Sequence, residues 1–299
     1  MANRITQGMM NIQLLRNLNN NLGRLEKLQD QMSTGRRINK PSDDPVGISF
    51  SMRYRTELSV NSQYQRNVDS AVSWLDYTDT MLDQAGQVLH RVREIAIQAA
   101  NGTNSEQSLD AFKSELEQLY EQMVNIGNSQ FNGKYVFNGQ RTDVKPFPDP
   151  SDAMNADTDS ESIQFEIGLG VRIAVNKTAD EVFGTSSDAD NVFRVLQNLI
   201  QALDPYNQDG IQQAIADLDS RTDKLLEARA DIGAKTNRIE LAESRLKDID
   251  LNLQALQSKT EDADLAEVII RLKMDENVYQ ASLSAGAKLI RPSLLDFLR

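Results

Sequence analysis

A cluster of carboxylates near the C-terminus is the part of this sequence that most resembles a chemical site. It consists of Glu261, Asp262, Asp264 and Glu267, and carboxylates at such spacing can bind a cation or serve as general acids and bases. The same residues stand at the predicted start of a helix, where acidic side chains interact favourably with the positive end of the helix dipole. We therefore predict a solvated helix start and no metal site.

The remaining residues that could do chemistry are few. The chain has no cysteine, one histidine (His90) and one tryptophan (Trp74). A Ser–His–Asp triad would have to use His90, which has no recognisable partner set nearby, and a site with several histidine ligands is excluded. Ordinary packing is the better interpretation of His90 and Trp74. The sequence therefore predicts a protein that is not an enzyme and that holds no cofactor and no metal.

The net charge and the hydropathy pattern argue against two classes of partner. The formal net charge is −12, whereas contact with nucleic-acid phosphates needs a basic surface. The chain has no run of about 18 apolar residues, which is the length needed to cross a membrane. The N-terminus also lacks the continuous apolar segment of a cleavable secretory signal. We expect neither nucleic acid nor membrane as a partner, and expect any export to use another route.

The elements that carry these residues are mostly helices, and the first and last of them are amphipathic. Apolar residues recur every three or four positions at both ends of the chain, which places them on one face of each helix. Chain ends are usually polar and frayed, so we expect these faces to pack against each other and against other molecules. The predicted assembly residues are Ile5, Met9, Ile12, Leu15, Leu18, Leu22, Leu25 and Leu28, together with Leu265, Ile269, Leu272, Tyr279, Leu283 and Ile290.

Long helices are also predicted between the two ends. Asp44 and Pro45 supply an N-cap and a first helical residue for a helix that runs to about Ala100, and a third helix follows over about 105–130. A last long helix begins near Ile211. Its apolar residues recur every seven positions, as in a coiled coil: Leu218, Leu225, Ile232, Ile239, Leu246 and Leu253, with Ala228, Ala242, Ile249 and Leu256 as the companion seam.

The middle of the chain has a different pattern. Asn132-Gly133 is a hairpin signal, and apolar residues alternate over 163–175, as in strands that turn near Gly168 and Gly170. A helix is expected over about 189–203. The fold class is therefore mainly α, a long-helix coiled-coil bundle formed by both termini with a small β-rich insert in the middle of the chain.

Three regions follow from this layout. Residues 1–40 and 258–299 form a terminal coiled-coil domain, residues 41–132 and 186–257 form a helical core domain, and residues 133–185 form a β-rich outer insert. The near-palindromic order predicts that the two termini lie together and the insert at the far end. An isolated pair of end helices has little to bury against, so we expect both termini to be disordered in the monomer and to fold on assembly.

Three segments of the chain resemble the flagellin family. Residues 28–47 (LQDQMSTGRRINKPSDDPVG), 89–105 (LHRVREIAIQAANGTNS) and 258–267 (SKTEDADLAE) are similar, in order and spacing, to motifs of that family. Within the family, residues 133–147 (GKYVFNGQRTDVKPF), 168–176 and 180–184, and the ending 293–298 (SLLDFL) are more similar to the L-type branch that forms the junction between hook and filament.

The resemblance implies a structural subunit of the bacterial flagellum, exported to the extracellular flagellum without a cleaved signal peptide. Its end helices would form the inner tube and its insert would face outward. The implied partners are the K-type junction protein of the hook, flagellin, a ring of further copies of the chain, and an export chaperone. Residues 131–190 contain no histidine, so the HExxH protease motif that some flagellins carry in their insert is excluded.

The resemblance also suggests an immune-receptor epitope, and two other functions stay open. The positions matching the residues that an innate immune receptor binds in filament flagellins are Arg91, Ile95 and Glu115, with Ile95 in place of the usual leucine. Packing against neighbouring subunits is the preferred interpretation of these three. The chain could also be a short filament flagellin, or a non-flagellar coiled-coil adhesin or regulatory protein that forms a stable dimer.

Overall fold

The structure is a computed structural model, and it describes residues 7–102 and 104–289. The chain divides into two compact units. Unit 1 combines Met1–Val60 with Ile249–Arg299, and unit 2 is Asn61–Asp248. These boundaries differ from the three predicted regions, since unit 1 extends further along both long helices and the predicted insert belongs to unit 2.

Seven α-helices dominate the described residues. Three come before the middle of the chain and four after it. Their bounds are α1 Gln7–Thr34, α2 Pro45–Ala100, α3 Glu106–Gly127, α4 Ala179–Phe183, α5 Val192–Leu203, α6 Gln208–Glu261 and α7 Leu265–Leu289. The predicted helices are thereby confirmed in kind and order, although α4 was not predicted and α5 begins later than expected.

Local side-chain chemistry accounts for several helix starts. Asp44 Oδ1 accepts a hydrogen bond from the Gly47 backbone N–H at 2.9 Å, which satisfies one of the unpaired donors at the start of α2. Ser105 caps α3 through the Ser108 N–H. Asn191 caps α5 by accepting hydrogen bonds from the N–H groups of Phe193 and Arg194. This last cap explains why the helix predicted from about residue 189 begins at Val192.

The middle of the chain contains two short antiparallel hairpins. The first joins β1 (Gln130–Phe131) and β2 (Lys134–Tyr135) through Asn132-Gly133, whose φ angles of 51° and 76° are those of a type I′ turn. The second joins β3 (Gln164–Gly168) and β4 (Val171–Ala174), with a bulge between Glu166 and Gly168. A short 3-10 helix spans Pro150–Asn155. Both predicted turns are confirmed.

One hydrophobic core unites the helices and hairpins of unit 2. Four phenylalanines from different segments pack ring against ring, with centroids 4.7 to 5.7 Å apart. Two belong to the β-rich segment and two to α4 and α5: Phe137, Phe147, Phe183 and Phe193. The β-rich segment is therefore part of the core of unit 2 and not a separately folded insert.

The heptad pattern of α6 is buried along most of its length and exposed near its end. Leu218, Leu225, Ile232, Ile239 and Leu246 are each at most 3% exposed. The predicted companion seam fails at Ile249 and Leu256, which are 39% and 38% exposed. Those two residues belong to unit 1, so the heptad pattern that is buried in unit 2 continues into unit 1 with exposed positions.

Candidate functional site: the terminal helices and their connection

In unit 1, helices α1 and α7 lie side by side and antiparallel. Arg24 Nε lies 3.4 Å from Asp275 Oδ2. Nearer the chain ends, a Cβ built on Gly286 would lie 2.7 Å from Leu14 Cδ2. Moving towards the N-terminus along α1 therefore corresponds to moving towards the C-terminus along α7. The prediction that the two terminal helices lie together is confirmed for the described residues.

The face that each helix turns to the other follows a heptad rhythm. On α1 and on α7 the residues that alternate at steps of four and three are buried or half-buried. They are Leu14, Leu18, Asn21, Leu25 and Leu28 on α1, and Val268, Leu272, Asp275, Tyr279, Ser282 and Gly286 on α7. We call these residues the terminal seam. Gly286 lets α1 approach closely, because a Cβ at this position would displace the Leu14 side chain.

The predicted assembly residues divide between this seam and the surface. The seam includes five of them: Leu18, Leu25, Leu28, Leu272 and Tyr279. Exposed fractions of 45% to 60% are found for Met9, Ile12, Leu15, Leu22, Leu265, Ile269 and Leu283. Ile5 and Ile290 lie outside the described residues. The exposed group flanks the seam and remains available to other molecules.

Helix α7 has a further apolar face, which was not predicted from the sequence. Ile270, Met274 and Val278 are 61%, 62% and 46% exposed, and their spacing of four residues places them on one side of the helix. This side lies opposite the seam residues Val268 and Leu272. The i, i+4, i+8 spacing was the signal that could have revealed this face. Helix α7 is thus apolar on two sides, and α1 covers only one of them.

Buried polar side chains on α1 are satisfied by local hydrogen bonds. The Asn21 Oδ1 atom accepts a bond of 2.6 Å from Arg24 Nη2, and Gln31 Nε2 donates to the Arg37 carbonyl at 2.8 Å. Both Asn21 and Gln31 are more than nine-tenths buried. Because these two residues are polar, they interrupt the apolar pattern of α1. The face predicted from that pattern therefore lies partly beside the terminal seam.

A buried carboxylate joins α2 to the end of α6 in unit 1. Glu261 is 1% exposed, and Arg55 binds both of its oxygens, with Nε to Oε1 at 2.8 Å and Nη2 to Oε2 at 2.6 Å. Ser51 Oγ donates to the same carboxylate. Burial alone would raise the pKa of Glu261, but the hydrogen bonds from Arg55 and Ser51 outweigh it and the pKa is lowered. Glu261 is therefore held ionised.

Backbone hydrogen bonds also join the loop after α1 to the end of α6 and to the connection that follows it. The Arg37 N–H donates to the Glu261 carbonyl at 2.6 Å, and the Ala263 N–H donates to the Gly35 carbonyl at 2.9 Å. Gly35 has a φ of 69°, a conformation that glycine adopts at little cost. The segments around residues 28–47 and 258–267, far apart in sequence, thus form one structural connection.

The prediction of a solvated helix start is wrong for Glu261 and correct for Asp264. Glu261 is the last residue of α6 and is buried, because Arg55 and Ser51 replace the water it would otherwise bind. Asp264 accepts hydrogen bonds from the N–H groups of Ala266 and Glu267 and so caps α7. Within residues 7–102 and 104–289, no group of three or more acidic or histidine side chains could hold a metal ion.

The other residues considered from sequence lie in unit 2. His90 is exposed on α2, so the prediction that it packs in the interior is wrong. Trp74 is 7% exposed and meets the Phe131 ring edge to face at 5.9 Å. No helix in the described part of the chain is long and apolar enough to span a membrane.

The three epitope positions are only partly accessible. Arg91 Nε and Glu115 Oε1 are 2.7 Å apart in an ion pair at the surface, with side chains 47% and 39% exposed. Ile95 is 1% exposed and belongs to the core of unit 2. A receptor that binds this folded surface can therefore reach Arg91 and Glu115 but not Ile95.

Comparison with solved structures places this fold among known flagellar proteins. A structure assigned to a flagellar hook-associated protein of Vibrio parahaemolyticus superposes with a TM-score of 0.69 at 23% identity, covering 74% of this chain and 100% of that one. The flagellar junction protein FlgL from Legionella pneumophila gives a TM-score of 0.58 at 19% identity, covering 72% and 100% of the two chains. The long-helix architecture is therefore a known one.

Sequence comparison gives the family. Flagellar hook-associated protein 3 of Escherichia coli (strain K12) is 27% identical over 212 residues, which are 67% of this chain and 66% of that protein. The chain thus spans about two thirds of the length of this relative. The models for the bacterial flagellin N-terminal and C-terminal helical regions match residues 5–142 and 210–298, well over half of the chain. The chain belongs to the flagellin family.

Proposed function

We propose that this chain is a structural subunit of the bacterial flagellum that joins the hook to the flagellin filament. The observation that carries the proposal is the apolar surface that α1 and α7 leave uncovered. Met9, Ile12 and Leu15 on α1 and Ile270 and Met274 on α7 are each about 60% exposed. Contiguous exposed apolar surface marks interaction sites, and the terminal helices of adjacent copies are suited to cover it.

The choice of the junction over the filament is supported by the middle of the chain. Residues 133–147, 168–176 and 180–184 resemble the L-type junction branch. The chain also matches 66% of hook-associated protein 3 of E. coli, against 51% of flagellin 1 of Proteus mirabilis. A short filament flagellin is the alternative within the family. Family membership leaves the non-flagellar adhesin or regulatory coiled coil without support.

The partners follow from this position in the flagellum. On the hook side the terminal helices would contact the K-type junction protein, and on the other side the first flagellin subunits. Further copies of the chain would complete a ring, and an export chaperone would cover the apolar terminal helices before assembly. The chain would reach the extracellular flagellum without cleavage of its N-terminus.

The resistance of such a joint to bending and shear would come from the terminal helices. Apolar seams of the kind formed by Leu18, Leu25 and Leu272 exclude water, so separating them exposes apolar surface at a cost of about 25 cal/mol per Å². Polar outer faces carry no such cost and can slide. A subunit built in this way holds its neighbours tightly along the axis while it accommodates a bending hook.

Deletion of the gene tests the proposal directly. Cells that lack this chain should have intact hooks and no filaments, and they should shed unassembled flagellin into the medium. Complementation with the intact gene should restore filaments. Normal filaments in the deletion strain would refute the junction role.

Polymerisation distinguishes the two members of the family. Purified flagellin extends on a filament seed, whereas a junction subunit should add to hook ends and stop. Long filaments grown from this chain alone would favour the short-flagellin alternative.

The order of the terminal helices in the free subunit is a separate part of the proposal. In a dilute monomer, amides of residues 8–34 and 265–287 should exchange with solvent within seconds, while those of α2 and α6 in unit 2 stay protected. Protected terminal amides would show that the helices fold before assembly.

A further inference from the structure

Unit 2 has a surface patch that is apolar and basic, beside the turn of the β3–β4 hairpin. Leu169 at the turn is 90% exposed and Leu241 on α6 is 74% exposed, the two highest values for large apolar side chains among the described residues. Arg238 and Arg245 share the helix face of Leu241, three and four residues away. Arg245 reaches the hairpin, since a Cβ on Gly168 would lie 3.4 Å from its Nη2. We call Leu169, Arg238, Leu241 and Arg245 the hairpin-tip patch.

The two arginines of this patch have no carboxylate partner among the described residues. Neither Arg238 nor Arg245 has an ion pair or a side-chain hydrogen bond to any residue that the structure describes. Other bases along α6 do have carboxylate partners: Arg229 pairs with Asp79 and Asp83, and Lys235 with Asp231. Guanidinium groups flanking exposed leucines, as here, suit a partner that is acidic and helical.

A complementary surface exists on α3 of the same unit. Glu106, Asp110, Glu117 and Glu121 are exposed on its outer face, and none has an ion pair within the described residues. Asp110 and Glu117 are seven residues apart, as are Arg238 and Arg245, and seven helical residues span about 10.5 Å. Repulsion between carboxylates four residues apart destabilises an isolated helix, and it would be relieved by an opposing basic surface.

We propose that the hairpin-tip patch binds the acidic outer face of α3 in a second copy of this chain, with the two arginines facing Asp110 and Glu117. This contact rests on the proposed function, in which several copies form a ring. The two surfaces are different, so the contact is head to tail, and such contacts generate rings or helical arrays. Residues 61–248 carry 31 acidic and 17 basic residues, so random approach of two such units is repulsive. The patch supplies the local attraction that selects one orientation.

The absence of cysteine from the chain allows a direct test by cross-linking. A variant with both Leu241→Cys and Ser114→Cys places one thiol in the patch and one on the exposed face of α3, between Asp110 and Glu117. Oxidation of purified flagella should give a ladder of cross-linked dimers, trimers and larger species. The control pairs Ser114→Cys with Leu226→Cys, another exposed leucine on α6 at 54% exposure, and should give at most a tenth of that yield, about the effect of one well-placed contact.

Charge reversal tests whether the arginines select the contact. In the cross-linking background, Arg238→Glu with Arg245→Glu should lower the ladder yield about tenfold. Adding Asp110→Arg and Glu117→Arg to the same chain reverses both surfaces and should restore it. Lys134→Glu changes another exposed base that has no carboxylate partner among the described residues and should leave the yield unchanged. Trp74 emission verifies that each variant is folded.

The outcomes separate this contact from the proposed function. A chain found in the flagellar fraction that gives no ladder, or a ladder that is insensitive to reversal of the arginines, would overturn the contact alone. A chain absent from purified flagella would overturn the proposed function and the contact together. A ladder lost on the first reversal and recovered on the second would establish the contact between copies in the flagellum.

Discussion

Replacing Arg221 with alanine should lower the free energy of unfolding of unit 2 by about 3–5 kcal/mol. The Arg221 side chain is 1% exposed and is the largest fully buried side chain among the described residues. Its Nη2 lies 2.7 Å from Asp190 Oδ1, and its Nε donates to the Asp190 carbonyl at 2.9 Å. Asp190 itself is buried just before α5, so Arg221 ties α6 to the α4–α5 connection.

The magnitude follows from what the substitution leaves behind. Removing one member of a buried ion pair leaves the other charge only partly compensated, and this costs several kcal/mol. Asp190 would keep one cation, Lys224 Nζ at 2.8 Å, whose side chain is 48% exposed. A cavity would also open beside Gly184, where a Cβ would lie 2.5 Å from the Arg221 guanidinium. For a unit of this size, the melting temperature should fall by roughly 6–20 °C.

The assay uses the single tryptophan of the chain. Trp74 is buried against Phe131 in unit 2, so its fluorescence during urea or thermal unfolding reports on that unit. The matched control is Arg93→Ala. Arg93 pairs with Asp219 at 2.6 Å, but the two side chains are 43% and 50% exposed, and exposed pairs contribute only about 0.2–1 kcal/mol. Arg221→Lys keeps the positive charge but loses the forked guanidinium that binds Asp190 through two nitrogens. Its loss of unfolding free energy should lie between those of Arg221→Ala and Arg93→Ala.

The pH dependence has a defined sign. Burial alone would raise the pKa of Asp190, but Lys224, Arg221 and Ser220 outweigh it, and the pKa is lowered. A lowered folded-state pKa gives stability that is complete above the unfolded pKa of about 3.9 and is lost as the pH falls through the folded value. The difference between wild type and Arg221→Ala should be largest near neutral pH and should narrow below about pH 4.

Two results would refute this reasoning about the buried pair. A change no larger than that of Arg93→Ala would mean that burial of the pair carries no energetic weight. A difference that stays constant from pH 7 to pH 3 would mean that Arg221 acts only by filling space. In either case Asp190 could not be the partner that makes Arg221 important.

Three further predictions concern other parts of the chain. Gly127→Ala would put a Cβ 2.6 Å from the Phe147 ring and should destabilise unit 2 by about 1–3 kcal/mol in urea denaturation, whereas Gly233→Ala, with nothing within 4 Å, should stabilise it by about 0.4–1 kcal/mol. Glu261→Ala removes the buried partner of Arg55 and should reduce the amount of chain recovered in purified flagella, while Glu57→Ala, in an exposed pair, should not. Purified protein should give no response in an innate-receptor reporter assay, because Ile95 is buried; a response equal to that of flagellin would contradict this.

Much of the fold could be predicted from local signals. The bounds of α2, Pro45–Ala100, were predicted from the sequence, with the start given by Asp44-Pro45. The type I′ turn at Asn132-Gly133 and the α6 heptad up to Leu246 were also predicted. These features depend on neighbouring residues or on a regular repeat, so the interactions that cause them lie within a short stretch of the chain.

Other features depended on contacts between distant residues. The short helix α4 was missed, because its five residues carry too little periodicity to be recognised. The burial of Glu261 was missed because Arg55 and Ser51, which bind it, are about 200 residues away in sequence. The burial of Arg221 was missed for a similar reason, since Asp190 lies on another element.

The sequence by itself determined that both ends of the chain are amphipathic helices and that the chain is a member of an assembling family. Only the tertiary structure decided which face of each helix is already occupied. The terminal seam uses Leu14, Asn21 and Val268, whereas Ile12 and Ile270 stay exposed. Periodicity measures how many apolar residues share a face, but the covered face depends on which partner helix lies close enough to exclude water.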